Sequence, residues 1–463
     1  MLRVPRTAPN GRRSKDGAQP DNRLALVDQA LFAGHRAAGQ KVVIQCVWVY
    51  EHAIDFDAVK RFHHNLGYGL LGRRIERSPL RLTRHRWVLD RQPSSIDMAQ
   101  RPRPRTELSD WADERSQLPV DSEWGPGWHL GVLPLTDGST AVSLVVSHYL
   151  IDGLGLALVL ADAIAGNTRE LGYPTPRSRT RFRAVVEDAR QTARDVPEIA
   201  RALAQVGKMA RQSRKESAPS PVARAVAIPA RGNDDLVVVP VVSIYIDLAD
   251  WDARADALGG ASNTLIAAFA AKLGERMGRR RASDGAVTLQ LPMSDRTEDD
   301  TRAMALSYAR VSVDPTGVTT DLGDIRAAIK EALKTLRETP NDSQILWLTP
   351  FTPKRVMKNM VYTGFSDPDR PVLCSNLGDL GSILSRLDGT EAEYAAARVT
   401  GQHVPRQWLE SIGGQMTVLS GRLSGKVFIT LAAYHPGADN TKPALREFAA
   451  RTLAEFGLTG EID

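Results

Sequence analysis

Residues 140–166 read TAVSLVVSHYLIDGLGLALVLADAIAG, and few folds accommodate such a segment. The first eight residues are apolar, small or β-branched and carry no charge, the pattern of a buried strand. From Leu154 onward Leu, Ala, Val and Ile recur with Asp162 as the one charge, the pattern of an apolar helix. The six residues between them, His148 to Gly153, must turn the chain from strand to helix. Gly153 suits a backbone conformation that a Cβ would resist. Such a corner presents His148 at the carboxyl edge of a sheet, where an imidazole works as a general base near neutral pH. An apolar strand running into an apolar helix needs cover on both sides, so the chain is expected to build a layered α/β core.

The rest of the chain continues that mixture. Residues 42–50 (VVIQCVWVY), 129–135 and 140–147 read as strands, the last two joined through Asp137-Gly138. Helical spacing covers 24–32 and runs from Asp55 to about Tyr68. Residues 93–128 read as a surface connection with one short helix near Trp111. Residues 181–214 read as a basic helical stretch, with Pro197 as a break or first-turn residue. The Pro-, Ala- and Ser-rich stretch 216–235 reads as a linker. Beyond it, strands are predicted at 236–248, 287–292, 371–375, 415–420 and 426–434, and helices at 263–277, 325–337 and 442–456. We therefore expect a disordered basic tail over 1–22, an N-terminal lobe over 23–215 and a C-terminal lobe over 236–463. Each lobe is expected to hold a mixed sheet with flanking helices, and 463 residues supply two cores without staples.

A net charge of +6 is mild for this length, so nucleic acid is not an expected partner. The surplus is concentrated in residues 177–215, with eleven Lys/Arg against four Asp/Glu. That segment reads either as a membrane-surface helix or, more plainly, as a crossover helix between lobes. Cys46 and Cys374 lie in apolar runs and are expected as buried free thiols; no zinc-type spacing occurs, and no metal is expected. No run of 18 apolar residues predicts a membrane span, and the basic N-terminus lacks the apolar continuation of a secretory signal. A cytoplasmic monomer is expected, with a peripheral membrane contact left open. Neither a G-x-S-x-G elbow nor a G-x-x-x-x-G-K-[ST] loop is present. His63-His64 reads as a partly exposed pair on a helix. Arg73, Arg74, Arg77, Arg81, Arg84 and Arg86 beside Trp87 read equally as phosphate contacts or as a solvated strand face.

The segment SHYLIDGLGLAL (147–158) resembles the H-x-x-x-D-G motif of the CoA-dependent acyltransferase superfamily. That group includes chloramphenicol acetyltransferase, peptide-synthetase condensation domains, plant alcohol acyltransferases and the wax ester synthase/diacylglycerol acyltransferases. Three further segments resemble second-lobe features of the group in order and spacing: SNTLIAAFAAKLGERMG (262–278), VTLQLPMSDR (287–296) and CSNLGDLG (374–381). The last is nearest to the bacterial wax ester and polyketide-associated branches. The resemblance implies a chloramphenicol acetyltransferase-like α/β fold with a tunnel between the lobes.

It also implies roles for particular residues. His148 matches the catalytic base. Asp152 matches a structural aspartate that pairs with a second-lobe arginine, for which Arg296 is the candidate. Gly153 matches the glycine that leaves room for substrate or pantetheine. Ser147 and Asn376 are candidates for substrate contact or oxyanion support. No permanently bound cofactor is implied. The co-substrate would be acyl-CoA or an acyl-pantetheine thioester on a carrier protein, and the acceptor a small molecule or lipid. Many members carry two adjacent histidines, whereas here Ser147 precedes His148, and the D-F-G-W-G motif of the plant branch is absent. Two other readings stay open: a non-catalytic module on the same scaffold that binds a carrier protein or thioester, and a basic membrane-surface adaptor.

Overall fold

The computed structural model describes residues 21–91, 94–216, 235–297, 299–338 and 343–463. In the first half run α1 (Leu26–Ala38), β1 (Lys41–Tyr50), α2 (Phe56–Leu66), β2 (Arg73–Glu76), β3 (Arg86–Leu89), β4 (Asp97–Met98), α3 (Leu108–Gln117), β5 (Trp128–Pro134), β6 (Thr140–Ser147), α4 (Gly153–Ala165) and α5 (Arg181–Glu216). The second half opens with β7 (Leu236–Val237), β8 (Val241–Asp247), α6 (Leu248–Ala257), α7 (Ser262–Arg276), β9 (Val287–Ser294), β10 (Leu306–Val313), α8 (Gly323–Glu338) and α9 (Lys354–Phe365). It closes with β11 (Val372–Asp379), β12 (Tyr394–Gln402), β13 (Val404–Pro405), α10 (Arg406–Ser411), β14 (Gln415–Leu423), β15 (Lys426–Tyr434), α11 (Lys442–Glu455) and β16 (Glu461–Ile462).

Two mixed sheets carry the architecture. One has five strands in the order β12-β1-β6-β5-β4, the other seven in the order β10-β9-β11-β14-β15-β8-β16. The first sheet is not made by the first half of the chain alone. Strand β12 leaves the second half and pairs antiparallel with β1, placing Ala397 opposite Cys46 and Arg398 opposite Gln45. A boundary at residue 236 therefore divides the chain but not the sheets.

Local sequence explains most of these elements. Asp55 caps α2 by accepting from the Asp57 and Ala58 N–H groups. In α7 every residue from Leu265 to Ala271 is buried, as an all-round apolar helix requires when it is covered on every side. The run at 236–248 is not one strand. It breaks between β7 and β8, where Pro240 supplies no N–H for a ladder. Helix α5 continues through Pro197 rather than stopping there. The ring leaves the Ala193 carbonyl without its intrahelical donor, at a residue that is exposed and open to solvent.

The linker expected over 216–235 and most of the tail expected over 1–22 lie outside the described residues. Asn22 does not belong to a tail: it is buried, and its amide donates to the Trp87 carbonyl at 2.9 Å. No helix among the described residues is long and apolar enough to cross a membrane.

Candidate active site

Strand β6 delivers the turn that follows it with little freedom. The His148 N–H donates to the Val42 carbonyl at 3.0 Å, extending the β1–β6 pairing by one residue. Leu150 and Ile151 are fully buried and anchor the corner from inside. From the other side the guanidinium of Arg73 donates to the Leu150 carbonyl at 3.0 Å and to the Thr301 carbonyl at 2.5 Å. Arg73 itself is buried with its guanidinium carbon 3.9 Å from the centre of the Trp87 ring, and burial lowers its pKa. The phosphate-contact reading of this arginine therefore gives way to a structural one. Arg84 and Arg86 follow it, held by the Leu24 carbonyl and by Asp188.

Within this corner the imidazole of His148 is oriented by its own turn. Its Nδ1 lies 3.0 Å from the Ile151 carbonyl, an acceptor only, so Nδ1 carries the proton and Nε2 keeps its lone pair. Burial lowers the pKa of this ring, while the backbone partners and Asp152 oppose the shift. The ring is neutral at pH 7 and able to accept a proton at Nε2.

Asp152 makes no use of its charge toward the cavity. It caps α4, with Oδ1 accepting from the Gly155 N–H at 2.8 Å. Arg296, two residues beyond β9, meets it with two parallel bonds: Nε to Oδ1 at 3.0 Å and Nη2 to Oδ2 at 2.7 Å. Both side chains are buried. The Ala305 N–H donates to Oδ2 at 2.8 Å as the carboxylate's third partner, and Arg296 spends its remaining donors on the carbonyls of Asp300, Arg302 and Ala303. One residue carries the same tie from another direction. Buried Asp28 of α1 accepts from the Ala303 and Met304 N–H groups at 2.9 Å each, and its own burial raises its pKa. Two carboxylates of the first half thus hold one strand-to-strand connection of the second.

A single cavity joins His148 to this seam. It encloses about 1220 Å³ of empty space, its mouth included, and draws its walls from both sheets. Ile44, Cys46 and Trp48 of β1 and Leu156 and Leu160 of α4 face Pro292, Ser294, Tyr308, Thr417 and Phe428 from the other sheet. The lining is mostly apolar, with His148, Ser294, Tyr308, Ser375, Asn376 and Thr417 as its polar points. The indole N–H of Trp48 is already taken by the Leu384 carbonyl at 2.7 Å. Burial pushes the thiols of Cys46 and Cys374 up to about 12, so neither is a thiolate at neutral pH.

The structure brings His148, Gly153 and Asn376 to this cavity and leaves Ser147 out. Ser147 faces a separate small cleft with His35, Lys41 and Tyr149, because successive residues of a strand point to opposite faces. A substrate-contact or oxyanion role for Ser147 beside His148 is therefore discarded. Gly153 also needs a different reason from the one the sequence suggested. Its φ is not positive; instead, a Cβ would meet the Leu377 Cδ2 atom at 3.0 Å. Asn376 turns its Oδ1 to the Gly378 N–H at 2.9 Å, which leaves its NH₂ to donate. His63 is buried edge-on against Trp128, away from the cavity lining. Sequence reasoning gave Arg73 a different role and missed Asp28, Tyr308 and Gly155. Of these, only Gly155 had a local signal, as the second glycine of the G-L-G step.

No family model matches the chain, and no curated protein does either. Solved structures do. A wax ester synthase/diacylglycerol acyltransferase from Marinobacter aquaeolei VT8 superposes with a TM-score of 0.53 at 16% identity, over 94% of this chain and 98% of that one. This chain has the two-lobed chloramphenicol acetyltransferase-like fold. Polyketide synthase associated protein 5 from Mycobacterium tuberculosis gives 0.52 at 16% identity, over 94% and 97% of the two chains. The first condensation domain of the calcium-dependent antibiotic synthetase gives 0.53 at 15% identity, over 94% and 96%.

Proposed function

We propose that this protein transfers an acyl group from a thioester to a hydroxyl or amine, with His148 as the general base. The observation that carries the reading is the orientation of the ring. His148 lines the inter-lobe cavity, its Nδ1–H is held by the Ile151 carbonyl, and its pKa is lowered by burial. A neutral imidazole with Nε2 free is the form a base requires.

The donor is acyl-CoA or an acyl carrier protein, and both substrates occupy the cavity together. Nε2 takes the acceptor's proton as its oxygen or nitrogen attacks the thioester carbonyl. The tetrahedral oxyanion collapses, the C–S bond breaks, and the imidazolium returns the proton to the departing thiolate. The free NH₂ of Asn376 is the donor we assign to the oxyanion. Asp152 and Arg296 take no part in proton transfer; they fix the corner that aims His148. Gly153 lets the Leu377 side chain pack close against the corner at the cavity wall. No resident cofactor enters the scheme.

The test is thiol release from an acyl-CoA series offered with alcohols, amines and diacylglycerol. His148→Ala is expected to lower turnover by about 10²–10⁴-fold with an unchanged melting temperature. Asn376→Ala is expected to cost about 10²-fold in kcat. Turnover at the wild-type rate in His148→Ala would overturn the mechanism.

A further inference from the structure

Helix α5 is 36 residues long and meets the body along one line. Ala184, Asp188 and Ala202 are buried on that line, with Asp188 paired to Arg86 and Arg179 and Asp195 to Arg23. At about 100° per residue these positions share one face of the helix. The rest of its surface carries two stripes. Phe182, Val185, Val196 and Leu203 are exposed, Phe182 by 80% and Leu203 by 57%. They lie roughly 80–140° around from the buried line, in a row about 32 Å long. Arg183, Arg190, Arg194, Arg201 and Lys208 form the second stripe, within an arc of about 40°. Arg183 and Arg201 pair with Glu187 and Glu198 of the same helix. Among the described residues Arg190, Arg194 and Lys208 make no ion pair, so their charge is turned outward.

The two rows lie about 140° apart around the helix, with exposed Ala193, Ala200 and Ala204 between them on the solvent side. An outward apolar arc edged by unpaired cations is the composition of a helix that lies in a charged interface. We propose that α5 docks the protein on an anionic lipid surface. Phe182, Val196 and Leu203 enter the headgroup boundary, and Arg190, Arg194 and Lys208 neutralise lipid phosphates. A nucleic acid would use the cations and leave Phe182 and Leu203 in water. A bilayer uses both rows at once. The inference rests on the helix surface and does not depend on the chemistry assigned to His148.

Co-sedimentation of the full chain tests it, using phosphatidylcholine vesicles with and without about 30% phosphatidylglycerol. The wild type is expected to bind the anionic vesicles at low salt and to bind neutral ones far more weakly. Arg190→Gln with Arg194→Gln is expected to lower anionic-vesicle affinity about 25-fold, near fivefold per cation. Phe182→Ser with Leu203→Ser is expected to lower it at least about tenfold while the circular dichroism spectrum is kept. Failure of the wild type to bind anionic vesicles at low salt overturns the proposal. So does wild-type binding by the Phe182/Leu203 variant, which would show that charge alone acts, as it would on an acidic protein.

Discussion

Beneath the seven-stranded sheet α7 buries Leu265 through Ala271 as one apolar run, whereas the five-stranded sheet buries Gln45, Arg398 and His129 in its own layers. The polar interior of the five-stranded sheet is wired in part, with the Arg398 Nη2 and Gln402 Oε1 atoms buried without a partner among the described residues. Gln45 donates to the Ala112 carbonyl and to Ser143, accepts from Arg398 at 2.7 Å, and Arg398 pairs with Asp113 at 2.9 Å. The bonds that are made favour one arrangement, because a change of direction breaks them. The apolar lobe gains its stability from burial, which is less sensitive to direction. The division suits the proposed site, in which one imidazole is aimed by a polar corner and faced by an apolar wall. The two interiors meet at Asp152 and Arg296, and they should respond differently when disturbed.

The largest effect is expected where they meet. Asp152→Ala strips a buried guanidinium of its carboxylate and leaves the N–H groups of Gly155 and Ala305 without an acceptor. A loss of about 3–5 kcal/mol is expected, read by urea unfolding. Arg296→Ala should cost a similar amount. The double variant should cost less than the sum by at least about 1 kcal/mol, because each single change removes the same pair. Strict additivity would show that the lobes are not joined through this contact.

Acid should separate the lobes next. His35, His85 and His129 all belong to the first half, and burial lowers each to about 4. In the unfolded chain each titrates near 6.5. Below that value the unfolded state takes up protons that the folded state refuses, so stability falls as pH drops from about 6.5 toward about 4. The loss amounts to about 2 kcal/mol per histidine at pH 5. His435 of the second lobe shifts the same way but lies closer to solvent. Hydrogen exchange at pH 5 should therefore speed up in β5 and β6 before β14 and β15. His129→Leu should recover part of the loss. Equal acceleration in both sheets would break the contrast.

The same contrast explains how much could be read from sequence. Apolar runs with strong β-branching, such as 42–50 and 426–434, appear as strands within a residue or two of where they were expected. Strand β12 reads YAAARVTGQ, too rich in alanine and glycine to signal a strand, and its pairing with β1 is settled by contacts some 350 residues away in sequence, as between Gln45 and Arg398. Helix α9 and strand β10 were missed, although β10 alternates buried Ala309, Val311 and Val313 with exposed Arg310 and Ser312. At the site, the motif residues His148 to Gly153 were legible because they are consecutive. Arg73 and Asp28 were not, since each reaches the corner or its partner connection from a distant element through carbonyl and N–H groups that have no sequence signature. Ser147 misled for the opposite reason, being adjacent in sequence and opposite in direction.

The smallest effect expected comes from adding one methyl group to each interior. At Gly155 a Cβ would stand 3.0 Å from the Arg296 Cζ, the Asp152 Oδ1 and the Ile151 Cγ1 atoms. None of these is free to retreat, because the ion pair and its backbone bonds fix them. At Gly274 of α7 a Cβ would stand 2.9 Å from methyl groups of Val287 and Val372. That approach is closer, but its neighbours are apolar and lose no hydrogen bond by moving. Alanine in a helix returns about 1 kcal/mol at either position. Overpacking costs about 1–3 kcal/mol against it. We therefore expect Gly274→Ala to fall within about 1 kcal/mol of wild type in stability and to leave the proposed acyl transfer unchanged. Gly155→Ala should lose about 1–2 kcal/mol and lower kcat, since a shifted Asp152 moves the corner that carries His148. If Gly274→Ala proves the more damaging to turnover, then the apolar wall, and not the polar corner, sets the geometry of the site.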